Sequence, residues 1–201
     1  MAHLTRAAAP SRGAAALLAA PRRLTRAAFL RRVTLAAAAP LAVPAIARAD
    51  EDDRAVLNFA LLLEDLQVTL YREALELDLG FDLAGLLRTF ADHEHEHVER
   101  LRALGGGSAE PLRFAYGLET RDELLQLAPT VEDTVVGAYV GAIPGAATPE
   151  VRALLAGIVH TEAQQASTLR MLVSEVAAPA AFDEVLSRTV LLDRVRPFIA
   201  T

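Results

Sequence analysis

Sliding the chain against itself by 68 residues superposes one half of its helical region on the other, and this internal repeat constrains the fold more than any other feature. Glu64 falls on Glu132, Asp65 on Asp133, Tyr71 on Tyr139 and Ala74 on Ala142. Further along, Leu87 falls on Leu155, Glu94 on Glu162, Leu101 on Leu169, Arg102 on Arg170 and Leu104 on Leu172. Ala- and Leu-rich helices give chance identities. Two glutamates, an aspartate and a tyrosine matching at one offset point instead to a duplicated helix pair.

The local signals agree with that reading. Apolar residues recur at helical spacing from Asp53 to about Asp78, with Gly80 as a stop, and Asp82 is placed to cap a second helix running to about Leu104. Gly105-Gly106-Gly107 ends it, and residues 105–120 form a long irregular connection. Thr120 and Glu123 make a capping box for a third helix over about 121–146, with Pro129 placed to kink it. Thr148-Pro149 is a cap and first-turn pair for a fourth helix from Glu150 to about Val176, Pro179 closes it, and residues 182–195 read as a short fifth helix. No stretch alternates with period two, so no strands are expected. Short turn, long crossover, short turn is the order of an all-α four-helix bundle with one long connection.

The alternating four-and-three spacing of a bundle seam decides which residues face inward. Helix one presents Leu57, Leu61, Glu64, Val68, Tyr71 and Leu75; helix two presents Leu83, Leu87, Phe90, Glu94, His97, Leu101 and Leu104. Helix three presents Leu125, Ala128, Glu132, Val135, Tyr139 and Ala142; helix four presents Val151, Leu155, Ile158, Glu162, Gln165, Leu169, Leu172 and Val176. Every seam is apolar except at one shared level, where four glutamates, a histidine and a glutamine converge. An isolated carboxylate in a core costs several kcal/mol or takes up a proton. No Arg sits on any seam to neutralise these four, whereas two divalent cations would bring the site near neutrality and give each oxygen a partner. The chain has no Cys, so disulfides and thiolate ligands are excluded and any metal must bind through oxygen and nitrogen.

These residues resemble the ferritin-like superfamily, in which two helices each contribute a Glu and two others each contribute Glu-x-x-His. The matches are Glu64, then Glu94-His95-Glu96-His97, then Glu132, then Glu162-Ala163-Gln164-Gln165. The phrases from Asn58 to Glu64, from Glu132 to Pro144 and around Phe182 to Ile199 look like exported ferritin-like proteins related to desiccation-associated bacterial and plant proteins, and the likeness covers nearly all of residues 53–199. The resemblance implies a two-metal centre of iron or manganese. Glu94 and Glu162 would bridge, Glu64 and Glu132 would be terminal ligands, and His97 would hold one metal through a ring nitrogen. Gln165 departs from the pattern, standing where the second histidine belongs. An amide oxygen is a weaker ligand than imidazole for iron, so the second metal is expected to bind less tightly. Some ferritins also carry a glutamine beside their second metal. His160 points to the other side of its helix from Glu162 and is expected at the surface.

Tyr71 and Tyr139 lie two turns from Glu64 and Glu132 on the same seams, where their hydroxyls are candidate partners of the ligands. His93-Glu94-His95-Glu96-His97 also satisfies HExxH, which would make His93 and His97 zinc ligands and Glu94 a general base. The repeat explains Glu94 without it, through Glu162. Gly105-Gly106-Gly107 lacks the Lys and Ser/Thr of a phosphate loop.

Residues 1–49 carry eight Arg and no acid, then an Ala-rich apolar stretch from Val33 to Ile46 and Ala47-Arg48-Ala49, the layout of a cleavable export signal. Thr25 to Arg31 resembles the twin-arginine consensus with Ala27 in place of the second arginine, leaving the export route open. The apolar stretch, broken by Pro40 and Pro44, falls short of the ~20 residues a membrane span needs, so none is expected after cleavage. Residues 50–201 then hold twelve Arg against twenty-six acids, a formal charge of −14, which disfavours nucleic acid as a partner. The expectation is an exported protein, in the periplasm, the cell envelope or outside the cell, whose metal ions react with dioxygen or peroxide as in a ferroxidase. The alternative is a non-catalytic envelope or stress-protection protein with a degenerate or metal-free site. Whether the chain forms an oligomer depends on outer surfaces that the seam pattern does not constrain.

Overall fold

A computed structural model describes residues 51–107 and 112–200; the expected export signal of residues 1–49 lies outside them. Four long helices, α1 (Glu51–Ala74), α2 (Phe81–Ala103), α3 (Arg121–Ala142) and α4 (Pro149–Leu172), are followed by a short α5 (Arg188–Val195). α1 packs on α2 and α3 on α4 as two hairpins, and α1 meets α3 across the middle, so the duplicated halves face each other around one core. The architecture is the expected all-α bundle. Among the described residues the only β pairing is an isolated antiparallel bridge, Phe114 to Ile199, where the long connection meets the C-terminus. No helix among them is long and apolar enough to cross a membrane.

Local chemistry sets the helix starts. At α3 the Thr120 hydroxyl accepts from the Glu123 N–H at 3.2 Å while the Glu123 carboxylate accepts from the Thr120 N–H at 3.0 Å, completing the capping box. Thr148 caps α4 ahead of Pro149, and Ser187 caps α5. α2 starts earlier than an Asp82 cap would have it. The Ala84 N–H already bonds the Gly80 carbonyl at 3.1 Å, and Gly80, at φ 73°, takes the left-handed turn that a side chain would resist. α3 runs without a break through buried Pro129 and ends at Ala142, four residues short of the expected 146, in a single 3-10 turn containing Pro144.

The other ends also differ from expectation. α1 stops at Ala74 rather than Asp78, because bonds from Glu76 to Glu73 and from Leu77 to Ala74 tighten the last turn and bring Leu79 into the core. α4 stops at Leu172, where Ser174 adopts φ 63°; Leu172 and Val176 are therefore exposed instead of lying on the seam. The Arg170 guanidinium fixes this exit, donating to the Ala177 carbonyl at 3.0 and 2.6 Å and to Asp133.

Residues 182–187, expected as helix, instead form an irregular strap across α3. The Leu186 N–H donates to the Gly137 carbonyl at 3.0 Å, and a Cβ on Gly141 would lie 2.0 Å from the Leu186 carbonyl oxygen. The strap comes this close only because both α3 positions are glycine. It buries Leu186, and α5 adds Leu191 and Val195. The long connection is held by Glu73, whose carboxylate accepts the Tyr116 and Gly117 N–H groups at 3.0 Å each, and by the Tyr116 ring packed 4.7 Å from that of Phe198.

Gly141→Ala is expected to displace the strap and destabilise the fold by about 1–3 kcal/mol, the usual range for overpacking. Chemical denaturation would measure this, and limited proteolysis should cut first within 182–187.

Candidate metal centre

The two helix pairs place their repeated glutamates at one level of the core. Glu64 on α1, Glu94 on α2, Glu132 on α3 and Glu162 on α4 are all 0% exposed. Buried apolar residues, among them Leu61, Leu87, Phe90, Leu101, Leu155 and Leu169, close the core around this level. Within this shell Glu64, Glu94, His97 and Glu162 each offer one donor atom, all lying within 4.8 Å of one another. His97 is central. Its Nδ1 lies 3.1 Å from Glu64 Oε2, 3.0 Å from Glu94 Oε2 and 3.1 Å from Glu162 Oε1.

One N–H cannot satisfy three carboxylate oxygens. Glu162 Oε1, though close to His97, is not aligned for a hydrogen bond, and Glu94 Oε1 has no donor at all. Ligands to one cation stand about 2.0–2.2 Å from it and so up to about 4.4 Å apart. Four donors of this type gathered within 4.8 Å, a little wider than that limit, with Glu94 and Glu162 each keeping an oxygen unpaired, suit a divalent metal after a small inward shift.

The two tyrosines cross-brace the halves. The Tyr71 hydroxyl of α1 donates to Glu132 of α3, and the Tyr139 hydroxyl of α3 donates to Glu64 of α1. Each tyrosine thus orients the glutamate of the other pair, as the repeat's pseudo-symmetry requires. Burial, reinforced by the adjacent carboxylates, pushes both phenols up, so they remain O–H donors.

Burial likewise raises the Glu64 carboxyl and raises Glu94 and Glu132 well above the ordinary carboxylate range, with the Glu162 charge adding to burial in each case. Burial alone would depress His97, but the Glu162, Glu64 and Glu94 carboxylates gathered around it outweigh that and push the ring up to about 12. Without metal, His97 is then an imidazolium that partly offsets the carboxylates.

The six expected ligands do not form two matching sets. Glu132 does not join the four-donor group: one oxygen accepts from Tyr71 and the other accepts from Gln67 Nε2 at 2.7 Å. Gln165, 2% exposed, accepts the Tyr71 hydroxyl at 3.2 Å through Oε1, and its Nε2 has no partner. His93 also stays outside the group, lining an outer pocket with Glu96 and Arg100, so the HExxH reading lacks its first histidine ligand. His160 and His95 are exposed, as expected of His160.

Gln67 is the residue that sequence reasoning missed. Helix one was expected to present Val68 inward, but Val68 is only half-buried, and Gln67, 0% exposed, takes the seam position. The signal was present: the 68-residue offset puts Gln67 on Val135, itself a seam residue. Four-and-three spacing allows either a three- or a four-residue step after Glu64, and the second half shows that the step is three.

The pocket beyond His97 holds about 420 Å3 between α2 and α4 and is walled by His93, Glu96, Arg100, Gly157 and Gln164. His97, its side chain 12% exposed, is the member of the group that reaches it.

The raised Glu94 carboxyl gives a pH signature. A carboxyl whose folded pKa is raised contributes its full stability below the unfolded value of about 4.5 and loses it as pH climbs through the folded value. Glu94→Gln fixes the uncharged form. Free of metal, it is expected to match the wild type near pH 4 and to exceed it by on the order of a few kcal/mol near pH 8, as read from urea unfolding across pH.

Comparison with known proteins bears on the fold. Protein rds1 of Schizosaccharomyces pombe is 26% identical over 155 residues, which cover 68% of this chain and 39% of that protein. The chain therefore spans about two fifths of that relative's length. The model of the ferritin-like domain family matches residues 52–175, a span that covers α1 from its second residue, all of α2, α3 and α4, and every residue of the buried carboxylate layer. On this match and this fold, the chain belongs to the ferritin-like domain family.

Proposed function

We propose that this protein is an exported ferritin-like protein that binds iron or manganese in its core and reacts it with dioxygen or peroxide. The observation that carries the reading is the convergence of three buried carboxylate oxygens on His97 Nδ1 at 3.0–3.1 Å, with unfilled lone pairs on Glu94 and Glu162. Oxygen and imidazole donors without thiolate suit iron and manganese. When bound, such a metal supplies one-electron redox chemistry. Glu64, Glu94, His97 and Glu162 hold it, and Tyr139 fixes the orientation of Glu64. The apolar layers exclude bulk water, and the pocket at His97 gives a small oxidant a route to the centre.

Export rests on the composition of residues 1–49, with cleavage after Ala49. A second reading, a non-catalytic envelope or stress-protection protein, is favoured by the two glutamines, Gln67 and Gln165, at the same level of the core.

Protein beginning at Asp50, loaded with Fe(II) in air and desalted, is expected to retain iron by elemental analysis and to unfold at a higher temperature than the metal-free form. Glu94→Ala should abolish both the retained iron and the thermal shift. A wild type that keeps no more iron than this variant would move the assignment to the metal-free reading. Cell fractionation of the full chain, with N-terminal sequencing of the product, checks export.

A further inference from the structure

The repeat makes the centre's two halves directly comparable, and they differ at two positions. His97 is matched by Gln165, and Val135 is matched by Gln67. Residues 67 and 165 lie on different helices, yet both departures fall beside Glu132. The side of the centre at His97 gathers four donors within 4.8 Å, while the side at Glu132 has Gln165 in place of an imidazole and receives the buried Gln67 amide from α1.

Gln67 Nε2 has two hydrogens, and both are used: one goes to Glu132 Oε2 at 2.7 Å and one to Glu162 Oε2. Glu162 is therefore divided. Its Oε1 faces His97 at 3.1 Å, on the side of the four-donor group, and its Oε2 is taken by the amide. With both carboxylates ionised, turning the amide over would set Oε1 against two acceptors, so the nitrogen faces them and Oε1 is left without a partner. The other Glu132 oxygen is held by Tyr71, which also donates to Gln165. A cation between Glu132 and Glu162 would have to displace this amide and then rely on Gln165, a weak ligand, where the other half has His97.

We propose that the centre holds one divalent metal, on Glu64, Glu94, His97 and Glu162, and that the Gln67 side-chain amide closes the second position by bridging Glu132 and Glu162. The inference rests on the metal-binding reading above. It adds that the second position is filled by the protein itself. Gln67 is then a specificity-determining residue: it supplies two hydrogen-bond donors where a two-metal centre would place a second charge.

The test is a titration of the full chain with Mn(II), counting unbound Mn(II) by its electron paramagnetic resonance signal and bound metal by elemental analysis. The wild type is expected to bind one Mn(II) per chain. Gln67→Val with Gln165→His copies the two residues of the intact half and is expected to bind two, with the spin coupling of a close metal pair. Gln67→Val alone serves if the double variant folds poorly by circular dichroism; it should fill a second site at Mn(II) concentrations at least tenfold below any second binding by the wild type. Two metals in the wild type would overturn the proposal while leaving the metal-binding reading intact. A folded double variant that still binds one would overturn the role given to Gln67. No Mn(II) bound by the wild type, with Fe(II) likewise not retained, would overturn both.

Discussion

Four carboxyl groups at one level of a hydrophobic core are the constraint on which the rest of this structure depends. Each would cost several kcal/mol if left charged and unpartnered. The fold meets that cost with the His97 imidazole, two tyrosine hydroxyls and one glutamine amide, all reaching the carboxylates from facing helices. The tyrosine and glutamine bonds cross between the helix pairs, so the polar layer also fixes the register of one hairpin against the other. Tyr71 can reach Glu132, and Tyr139 can reach Glu64, only when α1 and α3 lie level.

The same layer is surrounded by buried apolar side chains. Leu57, Leu63, Leu66, Leu70, Leu87, Leu101 and Leu155 are fully buried beside it, and burying each large apolar side chain contributes about 1.5–3 kcal/mol. That apolar surplus lets the core tolerate an electrostatically unfavourable metal-free state, in which protons and the charged imidazole stand in for a cation. The outer face of α3 is closed as well, by the strap over Gly137 and Gly141 and by α5, which is why this helix is buried on nearly every side. A core sealed this way leaves the outside reachable at His97, through the pocket between α2 and α4.

Much of the fold and site was legible because helical periodicity is a short-range property. The seam pattern placed Glu64, Glu94, His97, Glu132, Glu162 and Gln165 at one level, and the structure brings four of them into one group. The capping box at Thr120 and the cap at Thr148 were readable for the same reason, since their chemistry spans three residues. The helix ends failed where the deciding contact was remote or conformational: Ala74 and Leu172 end their helices because of turn geometry and burial, not a breaker residue. Residues 182–187 have helix-compatible composition, but the backbone of Gly137 offers a hydrogen bond that competes with a helical turn. Gln67 was hidden by an ambiguity of one residue in the seam, and its repeat mate Val135 held the information that resolves it.

By itself the sequence determined the helical class, the duplicated pairs and the residues available as ligands, because periodicity and a fixed offset are carried by the chain's own spacing. Which ligands meet was decided by the tertiary structure. An amide side chain can face solvent, pack along a helix or bridge two carboxylates, and the choice depends on what a second helix presents opposite it. Only the packed bundle sets Gln67 between Glu132 and Glu162 and leaves His97 among three carboxylates, since those distances arise from the angle and register of helices far apart in the chain.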